Sequence, residues 1–228
     1  MIGIIGAMDT EINELKVSIK EMKTEIISNI EFYSGKINNK DVVVAKCGIG
    51  KVFAAVCTEA MILNYHPEKI IHIGIAGALS NELGVKDVAI ANSVVQYDVD
   101  QTAFDMPLGF IQGPDIVNIP CDKKIVAQIE NSAKNLNINY KTGVIASGDK
   151  FISNNMDKEK IIKNFGAIAV DMEGAATGQV CYVNDVDFCV VRAMSDGGDD
   201  DAIDTYNKSK QLSSDVATKI LIEYLNNC

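Results

Sequence analysis

Three carboxylates in this 228-residue chain follow short β-branched runs, at points where a strand pattern gives way to a helix or a loop. Glu11 follows the apolar N-terminal run, and Glu173 and Asp196 each follow a later apolar run. A carboxylate buried beside a strand costs free energy unless it is hydrogen-bonded, and perturbed carboxylates cluster at functional sites. The three carboxylates are therefore the first candidates for an active site.

Each carboxylate also has a purely structural interpretation. The helix dipole favours Glu11 in a first helical turn, but a reciprocal capping box would need Ser, Thr, Asp or Asn at position 8, which is Met8. Glu173 would be an ion-paired residue at a strand–helix junction, and Asp196 a helix N-cap or loop residue. The acidic run 199–201 lacks the glycine and distal glutamate of an EF-hand, so we predict no calcium site.

Arg192 is the only arginine among the 21 basic residues, and it lies within an apolar strand pattern. A chain that uses lysine everywhere else has reason to need a planar, forked donor at this position. Two interpretations stay open: Arg192 holds a carboxylate or a group of substrate hydroxyls, or it forms a structural ion pair.

Other catalytic and cofactor motifs are missing from the sequence. Gly48-Ile49-Gly50-Lys51 lacks the spacing of a phosphate-binding loop, and no GxGxxG follows a strand. His66 and His72 are not spaced like metal ligands, and no serine nucleophile elbow is present. We therefore predict an enzyme that needs no metal and no cofactor.

The elements that must position the candidates are those of an α/β fold, because β-branched runs alternate with helical patterns. The predicted strands are 2–5, 30–37, 42–46, 69–74, 87–91, 141–146, 167–170 and 188–193, with loops around a strand near Val94 in the segment 93–120. The predicted helices begin near Thr10 and after Gly50, and span 123–136, 157–164, 174–183 and about 205–225. Glycine-rich or polar clusters follow five of the strands, and open α/β sheets bind ligands beyond the carboxyl ends of their strands. The pattern thus predicts one crevice.

Composition narrows the class of partner. The chain is 47% hydrophobic and 23% charged, which is typical of one globular domain over residues 1–228. A net charge of -10 argues against nucleic acid and anionic membranes as partners. Six cysteines without a CxxC pair predict free thiols in a reducing compartment, and no signal peptide or spanning segment is evident. We expect a cytoplasmic protein.

Six segments in chain order carry a family resemblance. They are Ile2-Gly3-Ile4-Ile5-Gly6-Ala7-Met8 with Glu11, Cys47-Gly48-Ile49-Gly50-Lys51-Val52, Gly74-Ile75-Ala76-Gly77, Ser147-Gly148-Asp149-Lys150-Phe151-Ile152, Val170-Asp171-Met172-Glu173 and Arg192-Ala193-Met194-Ser195-Asp196. Together they resemble the bacterial 5′-methylthioadenosine/S-adenosylhomocysteine nucleosidases of the purine nucleoside phosphorylase-like superfamily. The resemblance implies a three-layer αβα sandwich with a mixed central sheet, working as a homodimer that hydrolyses the N-glycosidic bond of these nucleosides and of 5′-deoxyadenosine.

The resemblance also implies roles for individual residues. Asp196, supported by Ser195, would protonate the adenine ring, Glu11 would activate water, and Glu173 would hold the ribose hydroxyls. The other implied substrate-binding residues are Met172 and Arg192 at the ribose, Phe151 and the Ile152 backbone at adenine, Gly77 in the glycine loop, Met8, Ile49 and Tyr206 around the alkylthio group, and Phe104 and Met106 from the partner subunit.

Two positions depart from the family pattern. Ile75 stands where the family usually has a serine, and Met106 stands where an aromatic residue is common. Isoleucine cannot bind phosphate and no arginine cluster is available, so hydrolysis is favoured over phosphorolysis. The alternatives left open are a nucleoside phosphorylase, a nucleosidase for another 5′-modified adenosine, and a non-catalytic nucleoside-binding protein.

Overall fold

The computed structural model describes residues 1–228 as ten strands, six α-helices and a short 3₁₀ helix at Thr102–Phe104. The strands are β1 (Ile2–Gly6), β2 (Lys20–Ile27), β3 (Ile30–Ile37), β4 (Lys40–Lys46), β5 (Lys69–Ala78), β6 (Val88–Gln96), β7 (Ile119–Pro120), β8 (Tyr140–Ser147), β9 (Ala169–Asp171) and β10 (Asp187–Asp196). The helices are α1 (Asp9–Ser18), α2 (Lys51–Tyr65), α3 (Lys123–Asn135), α4 (Asn155–Phe165), α5 (Gly174–Val183) and α6 (Ala202–Asn227).

All ten strands join one mixed sheet, which confirms the predicted α/β class with a mixed central sheet. The path is β10-β6-β8-β9-β5-β1-β4-β3-β2, with β7 paired to β6. Because β5 also pairs with β10, the strands β5, β10, β6, β8 and β9 close into a ring, and β1 to β4 extend the sheet from it. β5 is parallel to β1 and β10 and antiparallel to β9, so it joins the two parts of the sheet.

Helices cover the sheet in two groups, with α1, α3 and α6 packed together in one and α2 and α5 in the other. Most strand residues are fully buried, because both faces of the sheet meet helices or other strands, and this explains the long β-branched runs. All six cysteines are free and five of them are buried, as predicted. None of the six helices is long and apolar enough to cross a bilayer.

Several predicted boundaries were wrong for identifiable reasons. The segment Gly74 to Gly77, expected to follow a strand, lies inside β5, and Ser195 and Asp196 lie inside β10, since glycine and small polar residues continue the ladder here. Val94 belongs to β6 rather than to a separate strand. β2 was missed because it is an exposed edge strand whose charged residues show no apolar alternation.

A buried ion pair joins β10, which ends at Asp196, to β9, which ends two residues before Glu173. Arg192 on β10 donates through Nε to Oδ2 of Asp171 at the end of β9, at 2.8 Å, and both side chains are 1% exposed. Its Nη1 donates to the His72 carbonyl on β5 at 3.1 Å. Asp171 also accepts from the Gly174 backbone N–H, at 3.1 Å, and from the Ser147 hydroxyl. This one pair therefore ties β5, β8, β9, β10 and the start of α5 together.

We expect Arg192→Met to lower the free energy of unfolding by about 3–5 kcal/mol, because it leaves the Asp171 carboxylate buried without its counter-charge. The urea midpoint and slope measure this loss. The matched control is Lys46→Met, which breaks the Lys46–Asp9 pair whose side chains are 44% and 61% exposed and should cost about 1 kcal/mol or less. Equal losses in the two variants would contradict a stabilising role for the buried pair.

Candidate active site

One cavity collects residues from β5, β9, β10, α1, α6 and four loops. Its lining consists of Ala7, Met8, Glu11, Ile49, Ile75, Ala76, Gly77, Lys150, Phe151, Ile152, Val170, Asp171, Met172, Glu173, Ser195, Asp196 and Tyr206. Every predicted site residue is in this set except Arg192, Phe104 and Met106. The three candidate carboxylates, far apart in sequence, thus share one cavity.

Glu11 is buried at the third position of α1, and its carboxylate accepts three backbone hydrogen bonds. Oε2 accepts from the N–H groups of Ala7, at 2.6 Å, and Met8, at 2.9 Å, while Oε1 accepts from the N–H of Ile75 at 3.0 Å. The bond to Met8, the N-cap, is the glutamate half of a capping box, so the sequence argument that Met8 excludes this role was wrong. A carboxylate oxygen has two lone pairs, so Oε1 keeps one free towards the cavity.

The surroundings of Glu11 act on its pKa in opposite directions. Burial has the largest effect and raises the pKa, while Arg192 and the three backbone N–H groups lower it less by stabilising the carboxylate. Gly74 makes room for this arrangement, since a Cβ there would lie 2.6 Å from Oε1 of Glu11 and 3.2 Å from Nη1 of Arg192. Because Gly74 has no side chain, none stands between the Arg192 guanidinium and the Glu11 carboxylate, and the positive charge of Arg192 lowers the pKa of Glu11.

Asp196 ends β10 in a different environment. Its Oδ2 accepts from the Ser195 hydroxyl at 2.8 Å, and its Oδ1 accepts from the N–H of Gly198 at 2.9 Å. Gly198 has φ +58°, a left-handed conformation that turns the chain back onto Asp196. Burial raises the pKa of Asp196, and the two hydrogen bonds lower it less. The Ser195 hydroxyl also lies 3.3 Å from the Ala76 carbonyl, so it can turn there when Asp196 is protonated.

Glu173 is the N-cap of α5, and its carboxylate reaches a second helix. Its Oε1 accepts from the N–H of Gly50 at 2.9 Å, at the N-terminus of α2. Burial, and then the nearby Asp171 carboxylate, raise the pKa of Glu173 to about 7. The second oxygen of Glu173 accepts no hydrogen bond within the chain, so it is free to bind a ligand hydroxyl.

Arg192 does not line the cavity, although it was predicted to bind the ribose. Its guanidinium lies behind the cavity wall, held by Asp171 and by the carbonyls of His72 and Val191. Arg192 therefore forms the structural ion pair that was one of its two interpretations. The same pair also places a cation next to the Glu11 carboxylate. Asp171 was not predicted as a site residue. The signal that could have identified it is its position at the end of a strand, two residues before Glu173.

The rest of the cavity suits a flat ring with an apolar substituent. Phe151 and Tyr206 meet edge to face with centroids 5.6 Å apart, and the Tyr206 hydroxyl lies 3.5 Å from Sδ of Met8. Ile49 lines the same cavity. The side chain of Ile152 is buried in a small apolar cluster, while its backbone N–H and C=O make no hydrogen bond within the chain. Those two groups are a donor and an acceptor for the edge of a bound base.

Phe104 and Met106 lie outside this cavity, on the loop between β6 and β7. Phe104 ends the 3₁₀ helix and is 77% exposed. Within one chain they therefore do not contact the other site residues. No group of three or more His, Cys, Asp or Glu side chains is arranged to hold a metal ion.

The comparisons with known proteins agree with this geometry. A family model described as "Phosphorylase superfamily" matches residues 1–226. The 5′-methylthioadenosine/S-adenosylhomocysteine nucleosidase of Staphylococcus epidermidis is 37% identical over 230 residues, covering 99% of this chain and 100% of the relative. The Staphylococcus haemolyticus protein of that name is 42% identical over 198 residues, covering 86% of each chain.

A solved structure of the Neisseria meningitidis nucleosidase, in complex with methylthio-immucillin-A, superposes with a TM-score of 0.97 at 30% identity, covering 100% of this chain and 99% of that one. A structure of the futalosine hydrolase of Helicobacter pylori superposes with a TM-score of 0.95 at 35% identity, covering 100% and 97%. The fold, the cavity and these matches together establish that the chain belongs to the phosphorylase superfamily and, within it, to the 5′-methylthioadenosine/S-adenosylhomocysteine nucleosidases.

Proposed function

We propose that this protein hydrolyses the N-glycosidic bond of 5′-methylthioadenosine and S-adenosylhomocysteine, and of 5′-deoxyadenosine, releasing adenine. The observation that carries the proposal is the cavity in which Glu11, Glu173 and Asp196 are buried in three different electrostatic environments. Such differences let carboxylates of one site act as acid, base and ligand.

Asp196 is the general acid of this proposal. Burial favours its protonated form, and no arginine or lysine contacts its carboxyl group. As the C1′–N9 bond breaks, its electron pair moves to the adenine ring, and Asp196 transfers its proton to N7. The Ser195 hydroxyl, until then turned to the Ala76 carbonyl, donates to the carboxylate that forms.

Glu11 is the general base. Its three backbone hydrogen bonds and the nearby Arg192 favour the ionised form, and Oε1 has a lone pair free for water. Water bonds to C1′ as it gives a proton to Glu11, so the products are adenine and a 5-substituted ribose. A proton then returns from Glu11 through solvent to Asp196, which completes the cycle.

Glu173, Met172, Gly77 and the apolar wall bind the substrate. The free oxygen of Glu173 accepts from the ribose hydroxyls, and Arg192 acts from behind through Asp171 rather than by contact. Phe151 stacks on adenine, the Ile152 backbone binds its edge, and Met8, Ile49 and Tyr206 surround the 5′-substituent.

Water is favoured over phosphate because no cation in or behind the cavity is free. Lys150 is the only basic side chain that lines the cavity, and its Nζ is 2.6 Å from Oδ2 of Asp157. Arg192 is committed to Asp171 and to two carbonyls. Ile75 adds an apolar surface where a phosphate-binding group would stand, and the ionised Glu11 carboxylate repels an anion.

Hydrolysis is tested by incubating the protein with 5′-methylthioadenosine, with and without phosphate, and measuring adenine. We expect equal rates in both conditions and 5-methylthioribose as the second product. A strict phosphate requirement would show a phosphorylase, and tight binding without turnover a nucleoside-binding protein. Futalosine is the parallel substrate, because a similar structure bears that enzyme's name, and a marked preference for it would change the proposed substrate.

We expect Asp196→Asn to lower kcat by on the order of a hundredfold or more, because asparagine cannot give up a proton to the leaving group. Glu11→Gln should lower kcat similarly and leave the Kd of a substrate analogue within about threefold, since the amide keeps one oxygen acceptor. Stopped assays of adenine release and calorimetric titration measure the two quantities. An active, folded Asp196→Asn enzyme would remove Asp196 from the role, and an unfolded Glu11→Gln variant would favour the structural interpretation of Glu11.

A homodimer completes the proposal, in which Phe104 and Met106 enter the partner's cavity. The support is an apolar face on α2, beside the cavity, where Val52, Phe53 and Leu63 are exposed. One nucleosidase domain over residues 1–228 is supported by the single sheet, which takes strands from residue 2 to residue 196. A reducing, cytoplasmic location agrees with the six free cysteines.

The dimer is tested by sedimentation at micromolar concentration. We expect the wild-type protein to sediment at twice the chain mass and Val52→Glu to sediment as a monomer, because a buried carboxylate would oppose the apolar contact. Val17→Glu is the matched control, since Val17 is also largely exposed, at 88% against 73% for Val52, but lies on α1. A monomeric wild-type protein, or a dimer unaffected by Val52→Glu, would contradict the proposed interface.

A further inference from the structure

β10 leaves its regular register with β5 at its catalytic end. Pairing runs without interruption to Met194, opposite Ala76, and resumes at Asp196, opposite Gly77, so Ser195 is an extra residue in a β-bulge. Successive side chains of a regular strand point to opposite faces, whereas a bulge re-aims one of them. Ser195 and Asp196 accordingly both line the cavity and hydrogen-bond to each other.

Two serines of α6, one helical turn apart, contact the backbone around this bulge. The hydroxyl of Ser209 donates to the carbonyl of Ser195, and that of Ser213 donates to the carbonyl of Met194 at 2.8 Å. Both serines are buried. The Met194 carbonyl also accepts from the N–H of Lys86 at 2.9 Å, so it has a second partner outside α6. Ser209 is thus the α6 residue that contacts the bulged residue itself.

A serine on the buried face of α6 calls for a reason, because an unpaired hydroxyl in a core is costly and an apolar residue would pack as well. The Ser209 hydroxyl lies 2.7 Å from the Thr205 carbonyl, one turn earlier, which is a contact that serines commonly make within a helix. The hydroxyl has one proton, which it shares between this carbonyl and that of Ser195, and the Ser195 contact links α6 to β10. The same turn of α6 carries Tyr206 into the cavity, so the link also fixes Tyr206 relative to Asp196.

We infer that Ser209 is a positioning residue for Asp196, because its hydroxyl holds the Ser195 backbone in the bulge and so orients both the Ser195 hydroxyl and the Asp196 carboxyl. The inference rests on the proposed function, since it concerns the residue proposed to protonate adenine. Without this bond, the Ser195 backbone would no longer be held in one conformation, and the direction of its hydroxyl towards Asp196 would not be fixed.

The groups around Asp196 determine its pKa, and a shift of that pKa is what a test of Ser209 can measure. Lys158 on α4 donates to the Gly197 carbonyl at 2.7 Å and lowers the pKa of Asp196, while Asp199 raises it. Tyr206 on α6 and, in the same cavity, Glu11 and Glu173 are the other titratable groups nearby, and burial raises the pKa of all three. The hydrogen bond from Ser195 stabilises the ionised carboxylate, so a weaker bond raises the pKa of Asp196. An acid that must be protonated then stays active to a higher pH.

The experiment compares Ser209→Ala with Ser213→Ala, which removes an equally buried hydroxyl from the same helix face. For 5′-methylthioadenosine we expect Ser209→Ala to lower kcat roughly tenfold with little change in KM, and to move the alkaline limb of the kcat–pH profile to higher pH. Ser213→Ala should match the wild-type protein in both, and Ser209→Thr, which restores a hydroxyl, should recover much of kcat.

Equal kcat and equal alkaline limbs in Ser209→Ala and Ser213→Ala would overturn the inference. A lower kcat in Ser209→Ala with an unmoved limb would also overturn it, because a loosened fold alone predicts that result. If Ser209→Ala does not fold, Ser209→Cys keeps the side-chain size with a weaker donor and is measured instead. A wild-type protein that releases no adenine would refute the proposed function, an outcome separate from an active wild-type protein that is insensitive at Ser209.

Discussion

The buried pair of Asp171 and Arg192 is the interaction on which the rest of the site depends. Two opposite charges removed from water are tolerable only when their remaining donors and acceptors are also satisfied. Asp171 achieves this with Ser147 and the start of α5, and Arg192 with the carbonyls of β5 and β10. The pair therefore fixes where β9 ends and where Glu173 begins the next helix. It also places a single positive charge behind a cavity lined by four acidic side chains, Glu11, Asp171, Glu173 and Asp196.

Backbone N–H groups supply the stabilisation that side-chain cations supply in other acidic sites. Glu11 receives three N–H groups and the field of Arg192, whereas Asp196 receives one N–H and one hydroxyl and has no cation in contact. Charge-assisted bonds to backbone donors favour the ionised form, and desolvation favours the neutral form. Burial raises the pKa of both groups, but Glu11 has more stabilising partners for its charge, which supports the proposed roles of Glu11 as base and Asp196 as acid. Burial and the neighbouring Asp171 carboxylate raise the pKa of Glu173, which is bonded to a single N–H, to about 7.

Much of this site could be predicted from sequence, although one of the reasons was wrong. Polar clusters after β-branched runs located Glu11, Glu173 and Asp196, because such residues are rare where strands are buried on both faces. The rule that strand ends of a parallel sheet meet does not apply as stated, since β8 and β9 run opposite to β5 and β10. The ends meet because β5 and β10 extend past their apolar runs, and β5 pairs with β9 through Gly77 and Val170.

Other features were out of reach of sequence because they depend on the register of distant segments. The room that Gly74 leaves for Glu11 follows from β1 lying beside β5, and nothing near Gly74 in sequence indicates it. The bulge at Ser195 likewise depends on how β10 meets β5. The sequence left two roles open for Arg192, a contact with a ligand or an ion pair, because both roles require the same buried, forked side chain.

The chain has few free cations, and this feature of its composition favours water over phosphate as the nucleophile. The protein carries 31 acidic residues against 21 basic ones, and its single arginine is used for the Asp171 pair. A site that cleaved nucleosides with phosphate would need unpaired donors with a positive charge facing C1′. Here Lys150 is paired with Asp157 and the wall at Ile75 is apolar, so an anion would meet the Glu11 carboxylate with no free cation beside it. Water is neutral and small, and it needs only the free lone pair of Glu11 to be oriented and deprotonated. The same acidic surroundings that exclude phosphate therefore select hydrolysis without any residue dedicated to that selection.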